Sequence, residues 1–370
     1  MKKILFFIPN LSVGGAEKVL VNLVNNMDKS KFDITVQTLF GGGVNEQFLK
    51  KNITYKSCFK KTFRGNSQIL KMFQPKTLYK LFIKDHYDII VSYLEGPTAR
   101  IVAGCSDQGT KKICWIHCRF DSPETAQVGF RGFEEAKELF CRFDVIVCVS
   151  ELVKRFFCQI IGYSGRIEVL YNTNETKDVF QKSMEPVNDI EFDKDCFNLC
   201  SVGKIEPVKG YDRLARVHKR LLDNGICHRI YILGDGSQKK EISAYLRTNQ
   251  LDNTFFFLGY HTNPYKYISK CDLFVCSSLS EGFSTAVTEA LIVGTPVCTV
   301  EVSGMKEMLG EHNEYGVITE NSEDAMYEGI KSLLENPERL AHYKLQAEIR
   351  GKDFSTENTV KAVEQMLMGL

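Results

Sequence analysis

Two glutamates eight residues apart are the strongest candidates for ligand-binding chemistry in this 370-residue chain. Glu281 and Glu289 lie in the stretch S-L-S-E-G-F-S-T-A-V-T-E-A, which follows a strand-like run and opens a predicted helix with Ser284 as its N-cap. The free N–H groups at a helix start favour an anion, and Gly282 lets a ligand approach the backbone. Glu281 could reach a hydroxylated group, and Glu289 could accept two hydrogen bonds from a vicinal diol such as a ribose. The alternative interpretation is an ordinary helix with one acid in its first turn and one acid on its surface.

Two lysines precede another predicted helix. Lys204 and Lys209 lie in the stretch S-V-G-K-I-E-P-V-K-G-Y, at the end of a predicted strand, and Pro207 stiffens the turn between them. Two ammonium groups in this arrangement could hold a diphosphate and neutralise it when it is a leaving group. Two exposed loop lysines without a ligand are the alternative.

The N-terminal half offers a glycine-rich loop and one histidine. Gly15 lies in the stretch N-L-S-V-G-G-A-E between a predicted strand and a predicted helix, but its spacing is not that of a P-loop. His117 follows the predicted strand 111–116 and could donate to, or orient, a hydroxyl. A loop histidine with purely structural hydrogen bonds is the alternative.

Asp193 and Asp195 spell a D-x-D pattern, which often binds a metal and a diphosphate. They lie in a polar stretch away from any strand end, so no metal site is predicted.

A basic and aromatic segment spans residues 47–84 and contains no acidic residue. Its cations include Lys60, Lys61 and Arg64, and phenylalanines and tyrosines are interleaved with them. Positive charge attracts an anionic membrane surface, and aromatic rings enter the headgroup layer. The sequence therefore favours membrane contact through this segment. A solvated loop with an ordinary helix is the alternative, and nucleic acid is a polyanion that we do not expect as a partner.

Strands and helices that alternate along the whole chain position these candidate residues. Near-continuous Val and Ile runs indicate parallel sheets that are covered on both faces. We therefore predict an α/β fold of two doubly wound, Rossmann-like domains facing a central cleft, because ligands bind at the carboxyl ends of such strands. The predicted parts are an N-terminal domain over residues 1–175, a linker over 176–195, a C-terminal domain over 196–352 and a C-terminal helix over 353–370 that packs back on the first domain.

The composition excludes several classes of protein. Hydrophobic residues make up 44% of the chain and charged residues 25%, as in ordinary globular proteins. No apolar run approaches the roughly 18 residues of a membrane-spanning helix. The first apolar run, residues 4–9, predicts a buried strand and not a signal peptide. Thirteen cysteines without a C-x-x-C pair predict reduced structural thiols and a cytoplasmic location.

Together, these segments resemble the family-4 glycosyltransferases of the GT-B type. Glu281 and Glu289 match that family's E-x7-E motif, including its E-G-F-S opening. Gly203 through Gly210 match its G-R-x4-K-G motif, with Lys204 where arginine is usual, so the charge remains but the bidentate fork is lost. The G-G-A-E segment near the N-terminus is also similar to one of the family.

The resemblance implies a retaining transfer of a hexose or N-acetylhexosamine from a nucleotide-diphosphate sugar, with a UDP-sugar as the expected donor and without a metal or other cofactor. It implies a glycan or polyprenyl-linked glycan acceptor in bacterial surface polysaccharide or glycoconjugate synthesis. The domain over residues 1–175 would bind the acceptor, and the domain over residues 196–352 would bind the nucleotide sugar. The enzyme would be peripheral on the inner face of the cell membrane. Donor-binding roles would belong to Gly15, Lys204, Lys209, Gly282, Phe283, Ser284 and Glu289. Catalytic roles would belong to His117, Glu281 and Lys209.

Two other functions are compatible with the same residues. A nucleotide-sugar 2-epimerase would have this architecture but would need no acceptor. A non-enzymatic protein would bind anionic lipid or nucleic acid through residues 47–84, and its salt-sensitive binding would not depend on Glu281 or Glu289.

Overall fold

Two parallel β-sheets organise the chain in a computed structural model that describes residues 1–63 and 65–370. Unit 1 consists of Met1–Thr173 together with Thr356–Leu370, and unit 2 consists of Asn174–Ser355. Each unit has one sheet in which neighbouring strands pair in parallel. The predicted α/β class with two doubly wound, Rossmann-like domains is therefore confirmed.

Unit 1 contains seven strands and eight α-helices among its described residues. The strands are β1 (Lys2–Ile8), β2 (Phe32–Phe40), β3 (Thr54–Phe59), β4 (Ile89–Ser92), β5 (Lys111–Ile116), β6 (Val145–Cys148) and β7 (Arg166–Val169). The helices are α1 (Gly15–Asn26), α2 (Asn66–Met72), α3 (Pro75–Phe82), α4 (Pro97–Val102), α5 (Pro123–Ala126), α6 (Phe133–Phe140), α7 (Glu151–Ile161) and α16 (Thr356–Met368). The strand order is β3-β2-β1-β4-β5-β6-β7, and the direction of winding reverses beside β1.

Unit 2 contains six strands and eight α-helices. The strands are β8 (Phe197–Val202), β9 (His228–Leu233), β10 (Phe255–Gly259), β11 (Leu273–Cys276), β12 (Val297–Val300) and β13 (Val317–Thr319). The helices are α8 (Thr176–Ser183), α9 (Tyr211–Asp223), α10 (Lys239–Thr248), α11 (Tyr265–Ile268), α12 (Thr285–Ile292), α13 (Met305–Leu309), α14 (Glu323–Leu334) and α15 (Pro337–Gly351). The order is β10-β9-β8-β11-β12-β13, so winding reverses beside β8.

Burial on both faces explains why the central strands are continuously apolar. Ile4 through Ile8 of β1 are fully buried, as are all four residues of β6, where a half-exposed sheet would alternate polar and apolar residues. Two common helix signals bound α7: Ser150 Oγ accepts the N–H of Val153 at its start, and Gly162 ends it in the left-handed conformation.

The stretch 176–195 differs from the predicted linker. It contains α8, whose Asp178 pairs with Lys182, and it belongs to unit 2.

The last helix, α16, belongs to unit 1. Lys2 Nζ donates to the Leu367 carbonyl at 3.0 Å, which attaches α16 to β1.

The prediction of reduced thiols fails for one pair of cysteines. Cys196 and Cys227 form a disulfide with a Cα–Cα distance of 5.0 Å. They precede β8 and β9, whose first residues Phe197 and His228 are register partners, so sheet pairing places the two sulfurs side by side. Their separation of 31 residues offers no signal that sequence alone could use.

A buried histidine pair lies in unit 2. His218 Nδ1 and His228 Nε2 are 2.7 Å apart, and His228 Nδ1 donates to the Ile226 carbonyl at 2.8 Å. Burial, with a smaller contribution from His228, lowers the pKa of His218 to about 3. Burial also lowers the pKa of His228, although its bond to Ile226 opposes this effect. Both rings are therefore neutral in the folded protein at neutral pH.

We expect unit 2 to lose stability as the pH falls below about 6.5, the pKa of an unfolded histidine. The unfolded chain then binds protons that the folded pair excludes, so the free energy of unfolding falls by about 1.4 kcal/mol per pH unit for each proton. Urea unfolding followed by circular dichroism near neutral pH and near pH 5 measures this effect. His218→Gln should weaken the pH dependence, and His342→Gln, at an exposed position of α15, should not. An equal dependence in all three proteins would contradict the prediction.

Candidate functional site

The loops that follow β8 and β11 form the candidate site of unit 2. The two strands are parallel neighbours, so their carboxyl ends lie at the same edge of the sheet. The N–H of Leu279 donates to the Val208 carbonyl at 2.7 Å and joins the two loops through their backbones. Ser277 Oγ donates to the Lys209 carbonyl at 2.9 Å and adds a second link.

Lys209 and Glu281, both singled out from the sequence, are in direct contact. Lys209 Nζ lies 2.5 Å from Oε1 of Glu281, and the same oxygen accepts a hydrogen bond from Ser278 Oγ at 2.6 Å. The two charged side chains are 25% and 12% exposed, so each is partly accessible. The arrangement can bind an anionic group at the ammonium and a hydroxyl at the carboxylate.

Close backbone packing fixes these loops and requires glycine at two positions. A Cβ at Gly210, where φ is +62°, would lie 2.3 Å from the Ser277 carbonyl oxygen. A Cβ at Gly234, after β9, would lie 1.9 Å from the Gly203 carbonyl oxygen. Only a residue without a side chain fits either contact.

Arg213, which the sequence pattern did not single out, holds the loop that leads to Glu281. Its side chain is 7% exposed, and Nε and Nη2 donate to the Ser277 carbonyl at 2.9 and 2.6 Å. Nη2 also donates to the Ser278 carbonyl at 3.0 Å, and Nη1 donates to Oδ1 of Asn321 at 2.8 Å. Its partners are 64 to 108 residues away in sequence, so a position near the start of a predicted helix offered no signal.

Replacing Arg213 with methionine should loosen the Glu281 loop and weaken binding of a nucleoside diphosphate about tenfold, since hydrogen bonds from a charged donor are lost. Titration calorimetry measures the affinity, and thermal unfolding shows whether the variant folds. Arg213→Lys should recover part of the affinity. Arg216→Met, on the same helix but paired with Glu323 and Asp212, is the matched control. Equal losses in Arg213→Met and Arg216→Met would show that Arg213 has no special positioning role.

Glu289 lies on α12, well inside unit 2. It is 3% exposed, and the Tyr265 hydroxyl donates to its Oε1 at 3.4 Å. Ser284 caps the helix, because its Oγ accepts the N–H of Val287, as the sequence predicts. Phe283 is 6% exposed and its ring packs on that of Phe354, so any ligand contact of this residue would come from its backbone.

Lys204 lies in a different local environment from Lys209. It is exposed and lies close to Glu206, whose pKa is lowered mainly by hydrogen bonds from Ser237 and to a smaller extent by the Lys204 charge. Ser237 Oγ donates to Glu206 Oε2 at 2.5 Å. The structure therefore places Lys209 against Glu281 and Lys204 beside Glu206.

The candidate residues of unit 1 lie beyond the carboxyl ends of β1, β4 and β5, which are neighbouring strands. Gly15 is the exposed first residue of α1, and His117 follows β5 directly. The N–H of His117 donates to Oε2 of Glu95 at 2.9 Å. Burial raises the pKa of Glu95, while hydrogen bonds from His117 and Cys118 oppose the increase. Glu95 was missed from the sequence, although an acid three residues past the last residue of β4, within two residues of the apolar run that predicts this strand, was an available signal.

The His117 ring is neutral and presents a hydrogen-bond acceptor. It is 8% exposed and lies against the Tyr93 ring, with centroids 5.0 Å apart. Burial lowers its pKa to about 3, and a hydrogen bond to the Tyr93 carbonyl opposes this shift. Within the described residues Nε2 has no hydrogen-bond partner. Nδ1 must therefore donate to the carbonyl, which leaves the Nε2 lone pair to accept from a hydroxyl.

Two of the residues predicted to contact a membrane lie in the loop after β3. Lys60 and Lys61 are exposed, and Arg64 lies outside the described residues. Across the described parts of the chain, no helix combines the length and the apolar character that crossing a bilayer requires.

The D-x-D pattern is engaged in local contacts. Asp193 pairs with Arg229 at 2.5 Å, and its other oxygen accepts the N–H of Asp195 at 2.9 Å. Over residues 1–63 and 65–370, no three His, Cys, Asp or Glu side chains are grouped in a way that could hold a metal ion.

Two family models match consecutive parts of the chain. Residues 13–177 match the model described as Glycosyltransferase Family 4, and residues 185–350 match the model described as Glycosyl transferases group 1. A protein of Campylobacter jejuni is 27% identical over the full length of both chains. That relative is the N-acetylgalactosamine-N,N'-diacetylbacillosaminyl-diphospho-undecaprenol 4-alpha-N-acetylgalactosaminyltransferase.

Solved structures share the fold over the full chain. Anabaena HepE in complex with UDP-glucose is 20% identical, with a TM-score of 0.77 and complete coverage of both chains. Sucrose-phosphate synthase from Thermosynechococcus elongatus is 14% identical, with a TM-score of 0.79, and the match covers 100% of this chain and 99% of that one. The two family models together match residues 13–177 and 185–350, and this chain belongs to the family-4 and group 1 glycosyltransferases of the GT-B type.

Proposed function

We propose that this glycosyltransferase moves a sugar from a nucleotide-diphosphate donor, a UDP-sugar, to a hydroxyl of a polyprenyl-linked glycan. The observation that carries the proposal is the contact of Lys209 with Glu281 at the carboxyl edge of the unit 2 sheet, eight residues before the buried Glu289. The Campylobacter jejuni relative is named for a diphospho-undecaprenol acceptor, and HepE was solved with UDP-glucose. Both names support the choice of donor and acceptor.

The charges of unit 2 suit a departing diphosphate. Lys209 and the first N–H groups of α12 would stabilise the negative charge that develops on the phosphoryl oxygens. Lys204 would add a second cation, and we propose that the reaction needs no divalent metal. Glu281 and the backbone of Gly282, Phe283 and Ser284 would hold the donor sugar, and Glu289 would bind the ribose.

The residues of unit 1 suit hydroxyl groups. His117 Nε2 is an unprotonated acceptor in a buried position, so it would hold a sugar hydroxyl and would not act as a cationic acid. Gly15 would lie beside the reacting groups. We propose that the acceptor hydroxyl attacks from the face that the diphosphate leaves, with retention of anomeric configuration, and that the sugar is a hexose or N-acetylhexosamine.

A lipid-linked acceptor would bring the enzyme to a membrane surface. The exposed Lys60 and Lys61 and the net positive charge of residues 47–84 would attract anionic headgroups. We therefore propose a peripheral location on the inner face of the cell membrane, with the product used in surface polysaccharide or glycoconjugate synthesis.

Incubation with a panel of UDP-sugars, EDTA and a polyprenyl-diphosphate-linked saccharide tests the proposal. We expect transfer to the lipid-linked acceptor, with the anomeric configuration of the donor visible in the proton NMR spectrum of the product. Conversion of the donor to its epimer without acceptor would refute transfer. Activity that appears only when Mg²⁺ replaces EDTA would refute the metal-free chemistry, and an inverted product would refute retention.

A further inference from the structure

The Glu95 carboxylate accepts hydrogen bonds from the loop that carries His117. Its Oε2 accepts the N–H of His117 at 2.9 Å. The N–H and the thiol of Cys118 also donate to this carboxylate, as does the N–H of Glu95 itself. A carboxylate offers about four acceptor positions, and these four donors occupy them. The hydrogen bonds favour the ionised form and oppose the effect of burial on its pKa.

The carboxylate acts where the pairing of β4 with β5 has ended. The last register partners of the two strands are Ser92 and Cys114, whereas β5 pairs with β6 as far as Ile116. The end of β5 therefore has a ladder partner on one side only, and Glu95 supplies the contact on the side of β4. Phe120, which is 2% exposed, packs among other phenylalanine rings and anchors the far end of the loop 117–120.

Two groups from the end of β4 together aim the His117 ring. The Tyr93 carbonyl accepts a hydrogen bond from the ring, which sets its tautomer, and the Tyr93 ring packs against it with centroids 5.0 Å apart. Glu95 holds the backbone of the same residue. Nε2, which has no hydrogen-bond partner among the described residues, is the atom left for a ligand. Its direction depends on both contacts, because a ring turns with the backbone that carries it.

We propose that Glu95 is a positioning residue for sugar transfer, whose carboxylate holds the start of the loop 117–120 so that His117 Nε2 meets a sugar hydroxyl. This inference rests on the proposed function and deepens it, because it assigns the group that fixes His117 before a substrate binds. Glu95 itself does not touch the substrate, since donors of the protein fill its acceptor positions. A group held in place in advance needs no rearrangement during the reaction.

NMR of the protein with ¹³C-labelled histidine tests this position without any substrate. In the unchanged protein His117 should stay neutral from about pH 8 down to about pH 5, because burial lowers its pKa to about 3. Glu95→Ala should release the loop, and His117 should then titrate near the ordinary value of about 6.5. Glu95→Gln keeps the size and one acceptor oxygen, so it should fold and give a smaller change. His117→Gln identifies the resonance.

The control for this measurement is Glu46→Ala. Glu46 is another partly buried glutamate of unit 1, and its Oε1 accepts the N–H of Gly43 at 2.9 Å. Its loss should leave the His117 resonance unchanged. Thermal unfolding checks the fold of each variant, and Glu95→Gln decides the question if the alanine variant does not fold. A His117 that stays neutral and unshifted when Glu95 is replaced would overturn the proposal.

A double-mutant cycle shows whether Glu95 acts through His117. Glu95→Gln should lower kcat about tenfold to a hundredfold, since a small displacement of a positioned group costs that much, and the Kd of UDP should not change. In a His117→Ala background the same substitution should cost little more. Losses that simply add would show that Glu95 has a separate, structural role. The NMR result needs neither donor nor acceptor, so failure of the proposed transfer activity and failure of this inference are distinguishable.

Discussion

Lys209→Ala should lower the rate of sugar transfer at saturating donor by about a hundredfold to a thousandfold, the effect of removing one preorganised stabiliser of a leaving oxyanion. The ammonium is held 2.5 Å from Glu281 by a loop that Ser277 and Arg213 fix, so it is in place before the reaction begins. The loss should fall mainly on kcat, because negative charge on the diphosphate increases toward the transition state.

The measurement is initial-rate transfer from UDP-sugar to the lipid-linked acceptor, with thermal unfolding as a check of the fold. Lys344→Ala removes an exposed lysine of α15 in the same unit and should leave kcat unchanged. Lys209→Arg should retain more activity than the alanine variant, because it keeps the charge. A Lys209→Ala enzyme with near-normal kcat would remove Lys209 from the chemistry.

Local patterns predicted the scaffold of the unit 2 site well. The helix start at Ser284, the strand before it and the spacing of Glu281 and Glu289 are all properties of a continuous stretch of sequence. Parallel-sheet topology then explains why Lys209 meets Glu281, because β8 and β11 end at one edge although 72 residues separate the two side chains.

Features that depend on contacts distant in sequence were not predicted. The strand β3 has the sequence T-Y-K-S-C-F, which lacks an apolar run, and it is a strand because it pairs with β2. Arg100 was not singled out from the sequence, yet its side chain is buried, because it pairs with Glu135 and donates to carbonyls at the end of α2. Residues whose environment comes from three separate segments give no periodic signal in any one of them.

The sequence contains a signal for one further residue of the site, a polar side chain near the end of a strand. His117 was identified because it follows a predicted strand, whereas Glu95, at the corresponding end of the neighbouring strand, was not. The structure shows that the two are joined, since the N–H of His117 donates to Glu95. Listing every polar residue within three positions of each predicted strand end would have found both.

Glu289→Gln should weaken binding of UDP and of the UDP-sugar about a hundredfold, since two hydrogen bonds from a ribose to a buried carboxylate are each worth about 1.5 kcal/mol or more. The carboxylate is 3% exposed, and Tyr265 donates to Oε1, so its orientation is fixed before a ligand binds. The loss should appear in the Kd of UDP and in the KM of the donor, with a smaller change in kcat, because the ribose is remote from the bond that breaks.

A deoxyribose ligand isolates this contact. The unchanged enzyme should bind UDP more tightly than 2′,3′-dideoxy-UDP, and Glu289→Gln should bind the two with nearly equal affinity in titration calorimetry. Tyr265→Phe should reduce the discrimination in part, because the carboxylate stays charged but loses one fixed partner. Glu328→Gln, at an exposed position of α14, should discriminate as the unchanged enzyme does. If Glu289→Gln still discriminates fully, the ribose lies elsewhere, and the carboxylate has a structural role in unit 2.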